Sequence, residues 1–137
     1  MYTLNCKGQL LTIDQPIVMG IINTTPDSFY AGSRLNTVDQ ILTTAEKMIT
    51  DGATILDVGG QSTRPGSIRV DADEELMRVI PAVEAIHKKF PSQIISIDTF
   101  YSKVAKEAVN AGAGIINDVS AGTIDSHLLK VVAALNV

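Results

Sequence analysis

The sequence has no tryptophan, three phenylalanines, three tyrosines, one cysteine and two histidines in 137 residues. Each scarcity excludes something. One cysteine, Cys6, allows no disulfide framework and no thiolate metal site. His87 and His127 have no second imidazole at ligand spacing, which argues against zinc; both fall near expected helix ends and read as structural. No stretch approaches the ~18 apolar residues of a membrane helix. The N-terminus, MYTLNCKGQL, lacks the basic segment and apolar run of a signal peptide, so a cytoplasmic, membrane-free protein is expected. The net charge is −4, and the only local basic group, His87-Lys88-Lys89, suits a helix C-terminal dipole, so nucleic acid is not an expected partner. The P-loop, dinucleotide-binding and nucleophile-elbow glycine patterns are all absent.

What remains is aliphatic. Hydrophobic residues make up 45% of the chain, mostly Ile, Leu, Val and Ala, a composition that suits strands covered by helices. The length is enough for one domain, residues 1–137, with a core of its own. Residues 2–13 alternate around Lys7-Gly8 and predict a hairpin. Ile17–Ile22 is a continuous apolar run, expected of a strand buried on both faces. Val38, Ile41, Leu42, Ala45, Met48 and Ile49 follow at helical spacing, with Thr37 and Gln40 as a capping box and Gly52 as the stop.

The pattern then repeats. Thr54–Val58, Ile94–Asp98 and Ile115–Val119 read as strands. Helices are expected from Asp71 or Asp73 onward, over Ser102–Ala111 and over Ser126–Leu135. Pro81 predicts a kink or a restart in the helix that contains it. Strands alternating with helices imply a parallel sheet with right-handed crossovers. A weak internal repeat, DGATILD (51–57) against AGAGIIN (111–117), makes Asp57 and Asn117 equivalent strand ends.

Each strand finishes on a polar group: Asn23, Asp57, Asp98, and the pair Asn117-Asp118. A single strand-end Asp is more often a helix cap than a functional group, but four polar ends on successive strands favour a site on one rim. Alternation puts Ile94, Ser96 and Asp98 on one face of their strand, so Asp98 points into a central cavity. After the second strand, GGQSTRPGS (59–67) offers two glycines for close backbone approach. Its hydroxyls and guanidinium suit an anion or a planar carboxylate. The polar excursion NTTPDSFYAGSR (23–34) is long for a connection in a compact domain, which points to function.

These stretches carry a resemblance. INTTPDSF (22–29), DVGGQSTRPGS (57–67), SIDTF (96–100) and AGAGIINDVSAG (111–122) resemble, in order and over essentially the whole chain, the dihydropteroate synthases of folate biosynthesis. The resemblance implies an α/β fold: half of a TIM (β/α)₈ barrel, four parallel βα units with an N-terminal β-hairpin. It implies the transfer of a dihydropterin-methyl group from 6-hydroxymethyl-7,8-dihydropterin diphosphate to p-aminobenzoate, with Mg²⁺ assisting diphosphate release. By the same resemblance Asn23 is the Mg²⁺-side residue, Asp98 and Asn117 hydrogen-bond the pterin, and Thr63 contacts the dihydropterin substrate. Phe29, Ser62, Arg64 and Pro65 belong to the loops that form the p-aminobenzoate pocket.

The sequence departs from the commoner family pattern at Ala31, where many members carry an acid that helps order the closed loops, and at Gln61, where many carry Glu. A full barrel needs ~250 residues, so the 137 residues are expected to show no synthase activity alone and to form a homo-oligomer, with a two-fold dimer as the favoured form. A pterin-binding methyltransferase module and a non-catalytic scaffold are the alternative readings.

Overall fold

The structure is a computed structural model that describes residues 1–25, 34–62 and 66–137, with only the backbone of 34–37. Two strands, β1 (Tyr2–Cys6) and β2 (Gln9–Ile13), form an antiparallel hairpin in which Cys6 pairs with Gln9. The turn between them is Lys7-Gly8, with φ of 55° and 88°, the left-handed pair that a two-residue hairpin turn demands. The side-chain carbonyl of Asn5 accepts from the Gly8 amide at 2.7 Å and fixes the turn.

Four parallel strands follow in the spatial order of the sequence: β3 (Val18–Asn23), β4 (Ala53–Gly59), β5 (Ile94–Asp98) and β6 (Ile115–Asn117). Between them run α1 (Arg34–Thr50), α2 (Ala72–Lys89) and α3 (Ser102–Ala111), and α4 (Leu128–Leu135) closes the chain order. The expected α/β architecture of four βα units behind a hairpin is present. The main core lies between sheet and helices, where Ile22, Leu56, Val58, Ile95 and Ile97 meet Ile41, Val79, Val83, Ile86 and Val104. On the opposite face, Cys6 of the hairpin packs against Ile55, Ile94 and Ile115 and covers the N-terminal end of the sheet. Burial pushes the Cys6 thiol pKa up, so it is a small apolar plug rather than a nucleophile.

Several local expectations need correction. β3 is not buried on both faces: Ile22 is buried against the helices, whereas Ile21 is 61% and Met19 41% exposed. Periodicity could not show this, because among the described residues β3 pairs only with β4 and nothing covers its inner face. Helix α1 starts at Arg34, upstream of the expected capping box, so Thr37 lies within its first turn; Arg and Leu at 34–35 are good helix formers. Of the kink or restart expected at Pro81, the restart does not occur: α2 runs through the proline as a single helix. Val79, Ala82, Val83 and Ile86 are fully buried around it, and that anchorage outweighs the one lost backbone hydrogen bond. Strand β6 stops at Asn117 rather than Val119, because Asp118 turns back to accept from the amides of Ser120 (2.8 Å) and Gly122 (2.6 Å). No helix among the described residues is long and apolar enough to cross a membrane.

Candidate functional site at the strand ends

The register of the parallel sheet aligns the site. Asn23 lies opposite Gly59, Gly59 opposite Asp98, and Asp98 opposite Asn117, so the four occupy one lateral row at the C-terminal edge. All four are on the inner face, because Ile22, Val58, Ile97 and Ile116 beside them pack against the helix-side core. Gly59 is the gap in the row. A methyl there would meet Asp98 Cβ and Oδ2 at 3.5 Å, in ordinary contact, and would fill the space between Asn23 and Asp98.

One row below lie Ile21, Asp57, Ser96 and Ile115. Asp57 and Asn117 are therefore not equivalent strand ends, as the internal repeat suggested. Strand β4 runs two residues further, to Gly59, and Asp57 sits one level deeper. The two are bonded to each other, with Asn117 Nδ2 donating to Asp57 Oδ2 at 3.1 Å. That bond commits one amide hydrogen and leaves Asn117 its carbonyl and second N–H for a ligand. Asp57 is 4% exposed, and its Oδ1 and the fully buried Ser96 Oγ have no hydrogen-bond partner among the described residues. Asp57 therefore belongs to the candidate site as the buried partner that orients Asn117, a role its position near a strand end does not reveal. Its signal was the repeat itself.

The electrostatics favour a basic carboxylate in mid-row. Burial raises the pKa of Asp98, and the nearby carboxylates of Asp57 and Asp118 raise it further. Asp118 behaves oppositely: burial pushes it up, but hydrogen bonds from Ser120 and Gly122 outweigh that and hold it below its ordinary value.

The roots of the two polar loops are tied together. Thr24, the residue after Asn23, donates to the Gly59 carbonyl twice, from its amide at 2.8 Å and its hydroxyl at 3.1 Å. On the other side of the double glycine, Arg78 Nη1 donates to the Gly60 carbonyl at 3.0 Å. Further along the second loop Ser62 is exposed, and its carbonyl accepts from Ser67 Oγ at 2.6 Å. Phe29, Ala31, Thr63, Arg64 and Pro65 lie outside the described residues.

For a metal, the exposed Asn23 offers one neutral amide oxygen, and no group of three His, Cys, Asp or Glu among the described residues could enclose an ion. This donor set fits a Mg²⁺ that keeps its water and takes its anionic ligands from a phosphorylated substrate. It does not fit zinc. A separate cavity of about 110 Å³ lies at the opposite end of the sheet, lined by Cys6, Lys7, His87 and Gln93 among others.

Comparison with known proteins shows the family and the fold. The family description "Pterin binding enzyme" matches residues 19–137. The chain is 48% identical over 124 residues to the dihydropteroate synthase of Bacillus subtilis, covering 90% of the chain and 43% of that protein. It is 51% identical over 123 residues to the mitochondrial folate synthesis bifunctional protein of Pisum sativum, covering 88% of the chain and 24% of that protein. In structure it is similar to the Xanthomonas albilineans dihydropteroate synthase solved with 4-aminobenzoic acid, at a TM-score of 0.90 and 45% identity. That match covers 98% of the chain and 49% of the solved one, so the chain spans less than half the length of each of the three.

Proposed function

The chain belongs to the pterin-binding enzyme family, and we propose that it corresponds to the N-terminal half of a dihydropteroate synthase barrel. In that reaction p-aminobenzoate displaces diphosphate from 6-hydroxymethyl-7,8-dihydropterin diphosphate to give 7,8-dihydropteroate. The observation that carries the reading is the lateral row Asn23–Gly59–Asp98–Asn117 above the buried Asp57.

A pterin presents a flat edge of N–H donors beside a ring carbonyl. Asp98 is an acceptor made more basic by burial and by its acidic neighbours, which suits ring and exocyclic N–H groups. Asn117, oriented by Asp57, brings both an acceptor and a donor to the same edge. Gly59 leaves the ring room to lie against the strand ends. Asn23, at the end of the row, would hold Mg²⁺ through its amide oxygen. The ion, when bound, would neutralise charge developing on the leaving diphosphate. The roots of the two loops are tied at Thr24 and Gly59 beside the row; by family resemblance Phe29, Ser62, Thr63, Arg64 and Pro65 would close over p-aminobenzoate and exclude water.

Calorimetric titration with the dihydropterin tests the assignment. Asp98→Asn puts a donor where an acceptor is needed, a buried mismatch of about 1–3 kcal/mol, so binding should weaken by ~10-fold or more with the fold unchanged. Equal affinity for both forms would remove Asp98 from the pterin site. We also take the protein to be cytoplasmic, which cell fractionation checks, and to act as a homodimer, as argued below.

A further inference from the structure

Glu75 is the one carboxyl among the described residues with no exposed surface, and nothing in the proposed chemistry uses it. It lies in the first turn of α2, beneath the double glycine. A methyl on Gly60 would come within 3.1 Å of Glu75 Cγ and 2.9 Å of Val79 Cγ1, so the loop root rests directly on this helix. Glu75 Oε2 accepts from the Thr99 hydroxyl at 2.8 Å. Thr99 directly follows Asp98, donates its amide to the Asn117 carbonyl at 3.0 Å, and accepts from the Tyr101 amide at 3.1 Å. Glu75 Oε1 is buried with no hydrogen-bond partner among the described residues.

We propose that Glu75 is a positioning residue: a buried strut that carries a proton and thereby seats the root of the Gly59–Ser62 loop against the strand end that holds Asp98. An ionised carboxylate there would leave a charged oxygen unpartnered in the interior. It would also place a second negative charge near Asp98 of β5. The charged groups facing Glu75 are Asp98 and, on its own helix, Arg78, which is engaged with Glu74 and the Gly60 carbonyl. Gln61, whose Nε2 donates to the Val70 carbonyl at 3.2 Å, favours the ionised form without closing a hydrogen bond to Oε1. The balance agrees with the geometry. Burial dominates, Thr99 and Gln61 pull back, Asp98 pushes up and Arg78 pulls back, and the pKa rises from 4.5 to about 7. Losing the proton should shift the Gly60 root and the Thr99 turn together.

The role of this loop in p-aminobenzoate binding rests on the proposed function, but the test needs no ligand. The chain, labelled with ¹⁵N, is titrated from acid to alkaline pH by NMR. The Gly60 and Thr99 amides should move in one transition with its midpoint near 7, and Glu75→Gln should abolish it. Thr99→Val removes a donor that favours the charged form, so its midpoint should move upward; this variant serves if Glu75→Gln does not fold. Amides that titrate in the ordinary carboxylate range, a transition that survives in Glu75→Gln, or an unmoved midpoint in Thr99→Val would overturn the proposal. None of these results would touch the pterin assignment.

Discussion

At the scale of single residues, two carboxyls separate what the sequence made legible from what it hid. Asp98 was legible because it ends an apolar strand on the inward face, and alternation within one strand fixes a face without any tertiary knowledge. Glu75 was not legible. In DADEEL (71–76) it reads as one of several acids complementing a helix N-terminus in water. Only the packing of α2 under Gly60 and beside Thr99 shows that it is buried. That burial has a pH signature with a definite sign. The folded pKa lies above the unfolded one, so from about pH 4.5 to about 7 the unfolded chain loses the Glu75 proton while the folded chain keeps it. This group's contribution to stability is therefore full below pH 4.5 and falls as pH rises toward 7, by up to ~3 kcal/mol. Urea unfolding of wild type and Glu75→Gln at pH 4.5 and 7.5 should show the variant losing less stability over that interval. Parallel losses would place the proton elsewhere.

At the scale of elements, β5 and α3 occur at the predicted boundaries, because three isoleucines bracketed by polar turn residues and a strong 3.6-residue period each have a single solution. Register was beyond reach. The repeat correctly paired the helix-ending glycines 52 and 112, both at positive φ, yet it misaligned Asp57 with Asn117 because strand length is decided by neighbouring strands. Capping across distance was also hidden. The Ser102 amide that opens α3 is met by Asp125 Oδ2 at 2.7 Å, from a segment that follows β6, and that bond, above all, holds the Asp125 pKa down to about 2.

The two repeat glycines allow a matched comparison. Gly52 has φ of +104° with nothing within 4 Å of an added methyl; Gly112 has φ of +129° and would drive a methyl to 2.5 Å from His87 Cγ. Gly52→Ala should cost only backbone strain, ~1–2 kcal/mol. Gly112→Ala should cost that strain and a further ~1–3 kcal/mol of overpacking. Urea midpoints of the two variants measure the difference, and equal losses would contradict the tight seating of His87 on Gly112.

At the scale of the molecule, among the described residues, the sheet is covered by helices on one face and by the hairpin at only one end of the other. Among the described residues β3 and β6 each have one neighbouring strand, and Met19 and Ile21 lie exposed on the inner face beside the polar row. Unpaired edges and open aliphatic surface recruit other chains, and a two-fold operator would bring identical edges together. Sedimentation at micromolar concentration should therefore give the mass of a dimer, and Ile21→Lys should shift it toward monomer. A wild-type monomer that melts cooperatively would show that these edges are tolerated.

The row at the C-terminal ends of the strands is where a pterin should bind. The most direct measurement is the map of amide shifts when the dihydropterin is added to the ¹⁵N-labelled protein. Gly59, Asp98 and Asn117 should be perturbed, with Asn23 responding further when diphosphate and Mg²⁺ are present. Cys6, Lys7 and Gln93, around the cavity at the opposite end, should stay unmoved. Shifts confined to that opposite end, with the row silent, would contradict that assignment.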